Sequence, residues 1–176
     1  MNERKLILHW DAGVGTVNST NKEHYHFMVD KNAIIHSGNH TIADNENCKD
    51  GDYCQHTAGM NTNNIGFSFL GMADYNPSIT GKIKTSYPIN KKQLEAGLKY
   101  CAMLCKKYNI TIDDEHVMTH YEVSEKVKNN IIHKNNLIDD NIGKIDFYYL
   151  PCYPKLKPNE IGDFLKDKIK WYMDKI

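Results

Sequence analysis

The chain has no surplus of charge. Its 22 Lys and Arg are matched by 22 Asp and Glu across 176 residues. A nucleic-acid or anionic-membrane binder would usually carry a basic stripe, and the balanced charge gives such a partner no support; the basic face of Lys91, Lys92, Lys99, Lys106 and Lys107 reads as a solvated helix face. No apolar run approaches the roughly 20 residues of a membrane-spanning helix. The sequence therefore predicts neither a nucleic-acid partner nor membrane insertion. The first residues, Met1 to Arg4, are short and polar and lack the apolar stretch of a secretory signal. The expectation is a chain synthesised in the cytoplasm without a signal peptide, wherever it later acts. Cysteine is sparse and odd in number, five residues, which argues against a secreted disulfide scaffold. Cys48 and Cys54 could bridge a loop after export, with reduced thiols as the default. Cys101 and Cys105 fall four apart on a helix-like stretch, as small buried apolar residues do. No repeat, low-complexity tract or linker interrupts the chain. Its length suits one domain over residues 1–176 with one core, and a monomer by default.

What is present is a string of short strand-like runs separated by two strong helical patterns. Lys5 to Trp10 reads as a buried strand that ends in His9-Trp10. Asn18 to His24 is a short helix. Tyr25 to Val29 and Ala33 to His36 form a hairpin around Asp30-Lys31-Asn32. Alternation in the first of these strands sets Tyr25 and Phe27 opposite His26. Gly38 to Gly59 is a long polar loop, and Asp50-Gly51-Asp52 within it lacks the ligand series of a calcium-binding EF-hand. Ile65 to Gly71, apolar on both faces, suits a central strand. Asp74 to Pro88 is a loop. Asn90 caps a helix over Lys91–Tyr108, and Asn109 ends it. Pro158 fits the first turn of a last helix over about 158–175. The order of elements predicts an α/β fold, a mixed central sheet flanked by helices.

The segment His116-Val117-Met118-Thr119-His120 admits two readings. As a helix it would put both histidines on one face, but Val117 stands where a zincin helix needs Glu. Val117 and Thr119 are β-branched, so the segment reads as a strand with His120 at its end and His116 structural or exposed. Tyr121 to Asn141 reads as a loop or a marginal helix.

Taken alone, His9 reads as a strand-end histidine bonded to backbone. Together, His9, His120 and Asp146 make two imidazoles and one carboxylate, the number of protein ligands a catalytic zinc takes when it keeps a fourth position open. Lys144 precedes Asp146 by two. In an extended segment it would point to the same side and reach a substrate carbonyl there. Tyr25 could serve as a proton donor or oxyanion partner, or as a rim aromatic.

These fragments, in this order, resemble the zinc-dependent N-acetylmuramoyl-L-alanine amidases, which share a fold with phage amidase lysozymes and peptidoglycan-recognition proteins. The resemblance rests on Leu8-His9-Trp10, Tyr25-His26-Phe27, His56-Thr57 with Asn61 and Ile65-Gly66, Thr119-His120-Tyr121-Glu122-Val123, and Gly143-Lys144-Ile145-Asp146 closing at Leu150-Pro151. The last fragment is similar to phage and prophage endolysins. The resemblance implies one catalytic Zn2+ held by His9, His120 and Asp146, with Tyr25 and Lys144 catalytic. It also implies His56 and Asn61 lining or supporting the substrate groove, and peptidoglycan as partner. It implies hydrolysis of the bond between N-acetylmuramic acid and L-alanine, on the cell wall after release. In some members the third ligand is a cysteine, and Cys152 lies nearby, but the lysine two residues before the ligand favours Asp146. One branch places a Glu general base where this chain has Ser68, so the mechanism leans on Tyr25 and Lys144. Asn64 replaces a frequent Ser. The alternatives are a non-catalytic peptidoglycan binder and a zinc peptidase that cuts within the stem peptide.

Overall fold

The computed structural model describes residues 3–77, 85–132 and 137–176. Strand β1 (Leu6–Trp10) and strand β4 (Ile65–Phe69) are buried along their whole length. They pair in parallel, with His9 opposite Ser68. Strand β2 (Phe27–Val29) flanks β4 in parallel, and β3 (Ile35–Ser37) closes that edge antiparallel to β2. Strand β5 (Val117–Thr119) pairs with β1 in parallel at the other edge. The order β3-β2-β4-β1-β5 makes one five-stranded mixed sheet, with β4 at its centre as its two-sided apolar pattern predicts.

Helices cover both faces. Helix α2 (Lys91–Tyr108) begins with a capping box between Asn90 and Gln93 and ends at Asn109, whose φ of 53° gives the left-handed turn that stops a helix. Its stripe of Leu94, Leu98, Cys101 and Cys105 is buried. Helix α4 (Pro158–Met173) has Pro in its first turn and buries Ile161, Leu165 and Ile169 in the same core. That core takes Leu6, Leu8 and Trp10 from β1 and Phe67 and Phe69 from β4. The opposite face has a smaller cluster. There Ile7 and Met118 meet Val123 and Val127 of helix α3 (His120–Lys128). Among the described residues no helix is long and apolar enough to cross a membrane.

The structure shifts several expected boundaries. The first hairpin strand begins at Phe27 because Tyr25 is the C-cap of α1 (Ser19–His24), and its partner strand starts at Ile35. Asp30 Oδ1 accepts from the backbone N–H groups of Asn32 and Ile34, which tightens the turn and delays the return strand. His120 is not the end of a strand but the first residue of α3. Thr119 and Glu122 form a reciprocal capping box, and that local signal overrides the β-branched run. The stretch Tyr121 to Asn141 thus holds a nine-residue helix that starts at His120 and later a 3₁₀ turn, Ile138–Asn141. Gly143 to Phe147 is a turn and not an extended segment. Gly143 and Phe147 both have positive φ, 87° and 70°, so strand alternation does not govern Lys144 and Asp146. Cys48 and Cys54 are both free thiols. Part of the expected loop from Asp74 to Pro88 lies outside the described residues.

Helix α4 also reaches the second face. Lys166 is buried, and its ammonium pairs with Glu122 at 3.0 Å, with Asp163 at 3.2 Å and with Asp114. Glu122 is the same carboxylate that accepts from Thr119 N at 2.7 Å to cap α3. Gly162 makes room for it, since a Cβ there would collide with the Glu122 carboxylate. Asp114, Glu122 and Asp163 come close enough together to suggest a cation site, and the Lys166 ammonium is the cation they hold.

Candidate metal centre

The site forms where the parallel strands end. Alternation along β1 sends Leu8 and Trp10 into the main core and His9 to the other face. The neighbouring β4 offers Gly66 and Ser68 on that face. Gly66 lacks a side chain because the His56 ring lies against it; a Cβ would stand 2.4 Å from His56 Cγ. His120 arrives on the first turn of α3. Asp146 arrives on the turn after Gly143, which is fixed from both sides. The Asp146 carbonyl accepts from Tyr121 N at 3.1 Å. The next residue, Phe147, is fully buried against Phe69 and Trp10, with ring centroids 5.3 and 5.9 Å away.

The structure brings the three candidate ligands together. His9 Nδ1 and His120 Nδ1 are 3.1 Å apart, and each lies 3.2 Å from Asp146 Oδ2. Both histidines are buried. Burial lowers the His9 pKa to about 4, with the charge of His120 adding to it against the opposing pull of Asp146. Burial pushes the Asp146 carboxyl up, but its hydrogen bonds and charge pairing with the two imidazoles outweigh this and bring it down to about 2. At neutral pH Asp146 is a carboxylate and His9 a neutral imidazole. Each can turn a lone pair inward, and His9, His120 and Asp146 form a group that can hold a metal ion.

A cleft of about 400 Å³ opens over these atoms. Tyr25 and Lys144 both line it. The Tyr25 ring lies 5.3 Å from the His9 ring, and burial followed by the negative charge of Asp146 raises its pKa. Lys144 is exposed at the rim. His56 lines the cleft too, buried edge-on to His9, and its Nδ1 lies 2.9 Å from Thr57 Oγ1. Its Nε2 is buried without a close hydrogen-bond partner among the described residues, and the Ser68 hydroxyl lies by the Tyr25 hydroxyl. Asn61 does not line the cleft. Its side-chain oxygen accepts from Thr57 N at 2.7 Å, so it holds the His56-Thr57 turn from behind.

Three neighbours have no assignment from the sequence. Asp11, two residues after His9, accepts from Gly13 N, Gly71 N and Asn21 Nδ2 and fixes the loop that forms one wall of the cleft. Thr57 Oγ1 lies 3.3 Å from His9 Nε2. Asn141 Oδ1 lies 2.8 Å from His120 Nε2. Asp11 could have been suspected from its place after the strand. Asn141 sits in a polar stretch with no periodicity, and nothing in the pattern singles it out.

A buried His, His, Asp set at the ends of parallel strands, open to a cleft, defines a class of protein able to hold one metal ion over a substrate groove. The chain belongs to the N-acetylmuramoyl-L-alanine amidase family, whose model matches residues 2–134. It is accordingly an amidase of peptidoglycan. Lys144 and Asp146 lie beyond the matched region. Among solved structures, the Staphylococcus aureus hydrolase AmiA in complex with its ligand shares the fold. It is 14% identical over 99% of this chain and 76% of that one, with a TM-score of 0.55. Weaker likenesses extend to the N-acetylmuramoyl-L-alanine amidase LysC from Clostridium intestinale URNW, with 16% identity, 69% and 72% coverage and a TM-score of 0.45. They extend also to the Drosophila peptidoglycan recognition protein PGRP-SA, with 12% identity, 66% coverage of each chain and a TM-score of 0.42. No curated protein matches the chain.

Proposed function

We propose that this amidase uses one zinc ion, held by His9, His120 and Asp146, to hydrolyse the amide between N-acetylmuramic acid and L-alanine. The observation that carries the proposal is the convergence of three acceptor atoms within 3.1–3.2 Å of one another in a buried place. Three potential ligand atoms so close need a proton or a cation among them, and a metal ion can serve all three at once. Donors about 2.0–2.1 Å from a tetrahedral zinc stand roughly 3.3 Å apart, and two imidazoles with a carboxylate are a usual donor set with one position left open. When bound, zinc supplies Lewis acidity, which makes water a nucleophile near neutral pH and polarises a carbonyl.

The protein's own groups do the rest. Asp146 stays ionised and brings negative charge to the cation. Tyr25 keeps its proton well past neutral pH, because burial and the nearby carboxylates oppose a phenolate. It therefore remains a hydrogen-bond donor toward a substrate carbonyl oxygen. Lys144, exposed on the same cleft, brings a positive charge to the oxyanion that develops. Ser68 stands where a general base occurs in one branch of the family, and a neutral hydroxyl does not take that role. Charge stabilisation by Tyr25 and Lys144 is thus the main contribution of the side chains to the barrier. The Gly143–Asp146 fragment, similar to phage endolysins, supports a lytic enzyme of phage or prophage type that reaches the wall after release from the cell that makes it.

The test is digestion of purified peptidoglycan by the zinc-loaded protein, with products read by mass spectrometry. An Asp146→Ala variant and a chelated sample run beside it. Free stem peptides that begin with L-alanine, absent from both controls, are expected. Cleavage inside the stem would move the bond, and tight wall binding without products would replace the catalytic reading with recognition.

A further inference from the structure

We infer that Asn141 is a positioning residue: it fixes His120 as the tautomer protonated on Nε2 and so keeps the Nδ1 lone pair turned toward Asp146 and His9. The inference rests on the metal-site reading above but follows from hydrogen-bond inventory. A neutral imidazole has one N–H and one lone pair, and which nitrogen carries the proton depends on what each nitrogen faces. His120 Nε2 faces Asn141 Oδ1 at 2.8 Å. The other end of the Asn141 amide, Nδ2, lies 2.8 Å from two backbone carbonyls, Ala58 O and Ile138 O. Carbonyls only accept. Flipping the amide would set its oxygen against both of them, so the NH2 group must face the carbonyls and the oxygen must face His120. An amide oxygen also only accepts. His120 Nε2 therefore carries the hydrogen, and in the neutral ring Nδ1 is the nitrogen whose lone pair turns inward.

Asn141 is placed to do this. It is buried, and it closes the 3₁₀ turn Ile138–Asn141. It joins three separate segments: the turn itself, the loop at Ala58 and the first turn of α3. A side chain pinned by two carbonyls cannot rotate to suit the other tautomer.

His9 has a softer partner. Its Nε2 faces Thr57 Oγ1 at 3.3 Å, and a hydroxyl can donate or accept. Thr57 therefore follows His9, whereas Asn141 dictates to His120. When His9 turns a lone pair inward from Nδ1, its Nε2–H donates to Thr57. The Thr57 hydroxyl then donates to His56 Nδ1 at 2.9 Å, and the His56 proton is at Nε2, the buried atom without a partner in the cleft.

Groups that orient metal-binding histidines typically change metal affinity about 10–100-fold when removed. Two variants separate orientation from packing. Asn141→Leu removes both the acceptor and the two donors. Asn141→Asp keeps an acceptor for His120 but loses the donors to Ala58 and Ile138. Zinc affinity is measured by competition with a chromophoric chelator, and thermal unfolding is followed on the metal-free proteins. Both variants should lower the metal-free melting temperature. Zinc affinity should fall about 10–100-fold in Asn141→Leu and stay within a few fold of the parent in Asn141→Asp. Equal losses in the two would reduce Asn141 to a packing residue and overturn the inference. A second measurement needs no variant: histidine 15N chemical shifts of the metal-free parent should show His120 protonated on Nε2, and protonation on Nδ1 would overturn it outright. A parent that binds no zinc but shows the Nε2 proton would instead sink the metal reading and leave the tautomer assignment standing.

Discussion

The two faces of the sheet are made by alternate residues of the same strands, yet they do different work. On the α2–α4 side, Leu6, Leu8, Trp10, Phe67 and Phe69 form a continuous apolar layer with few polar atoms. On the α3 side the layer is apolar only at the start of the strands, where Ile7 and Met118 lie. Toward the strand ends it becomes His9 and Ser68, with His26 and His56 beside them. Alternation lets five residues of β1 hold the fold with one side and build the site with the other. The polar side needs hydrogen-bond partners for nearly every buried atom, and those partners come from loops. Loops on this side are therefore tied down by side-chain hydrogen bonds around Asn45, Thr57 and Asn141.

If the faces are separable, damage to one should leave the other intact. Phe67→Ala should cost about 3–5 kcal/mol of stability through the cavity it leaves in the apolar layer. Zinc affinity of the still-folded protein should stay unchanged. Denaturant unfolding and chelator competition on the same samples would check this, and a large affinity loss would show the faces to be coupled. Lys144→Ala should do the reverse. It leaves the melting temperature and bound zinc in place and raises the barrier by about 2.7–4 kcal/mol, a loss of roughly 10²–10³ in kcat, as removal of one oxyanion donor does. Hydrolysis of wall at the parent rate would remove Lys144 from the mechanism.

Mild acid, between pH 7 and 5, should strike mainly the polar face. His26 Nδ1 accepts from Gly66 N and its Nε2–H donates to Asn45 Oδ1, so a second ring proton would meet a backbone N–H. Burial, with the positive charge of Arg4 beyond it, lowers its pKa to about 4. The unfolded chain binds this proton near pH 6.5, before the folded one does. The stability is thus fully present above pH 6.5 and falls as the pH drops toward 4. Between pH 7 and 5 the loss from His26 is about 2 kcal/mol, with His9 acting in the same direction in the metal-free protein. Urea unfolding in the presence of a chelator measures it, and His26→Gln should flatten the profile. The smallest effect belongs to the apolar side: Asn90→Ala removes the α2 cap and should cost about 1 kcal/mol in thermal unfolding.

Much of the apolar face was readable. Helix α2 announces itself by its Asn90 cap, its 3.6-residue stripe and Asn109, and β4 by residues apolar on both sides. These features are local. The candidate ligands were readable as an order of fragments, although the strand geometry expected for two of them was not what the chain adopts. Thr119-x-x-Glu122 was a helix start hidden behind β-branched residues. The turn that presents Asp146 depends on a positive φ at Phe147, held by burial against Phe69 and Trp10, which no local pattern reveals. Asn141 was invisible because its role lies in what faces each end of its amide. The groups concerned come from Ala58 and His120, 83 and 21 residues away.

The clamp between Lys166 and Glu122 bears on where this molecule can be cut. The family match stops at residue 134 and the last proposed ligand is Asp146, so a designer of a minimal amidase module would be tempted to end soon after. Such a module would lose the ammonium that Glu122 leans on. Glu122 is the carboxylate that sets the first turn of α3, and His120 is that turn's first residue. The C-terminal helix therefore acts as a splint on a proposed metal ligand more than forty positions upstream. The shortest useful module keeps α4 through Met173, because Tyr172 and Met173 also pack on the core and Tyr172 bonds Glu95.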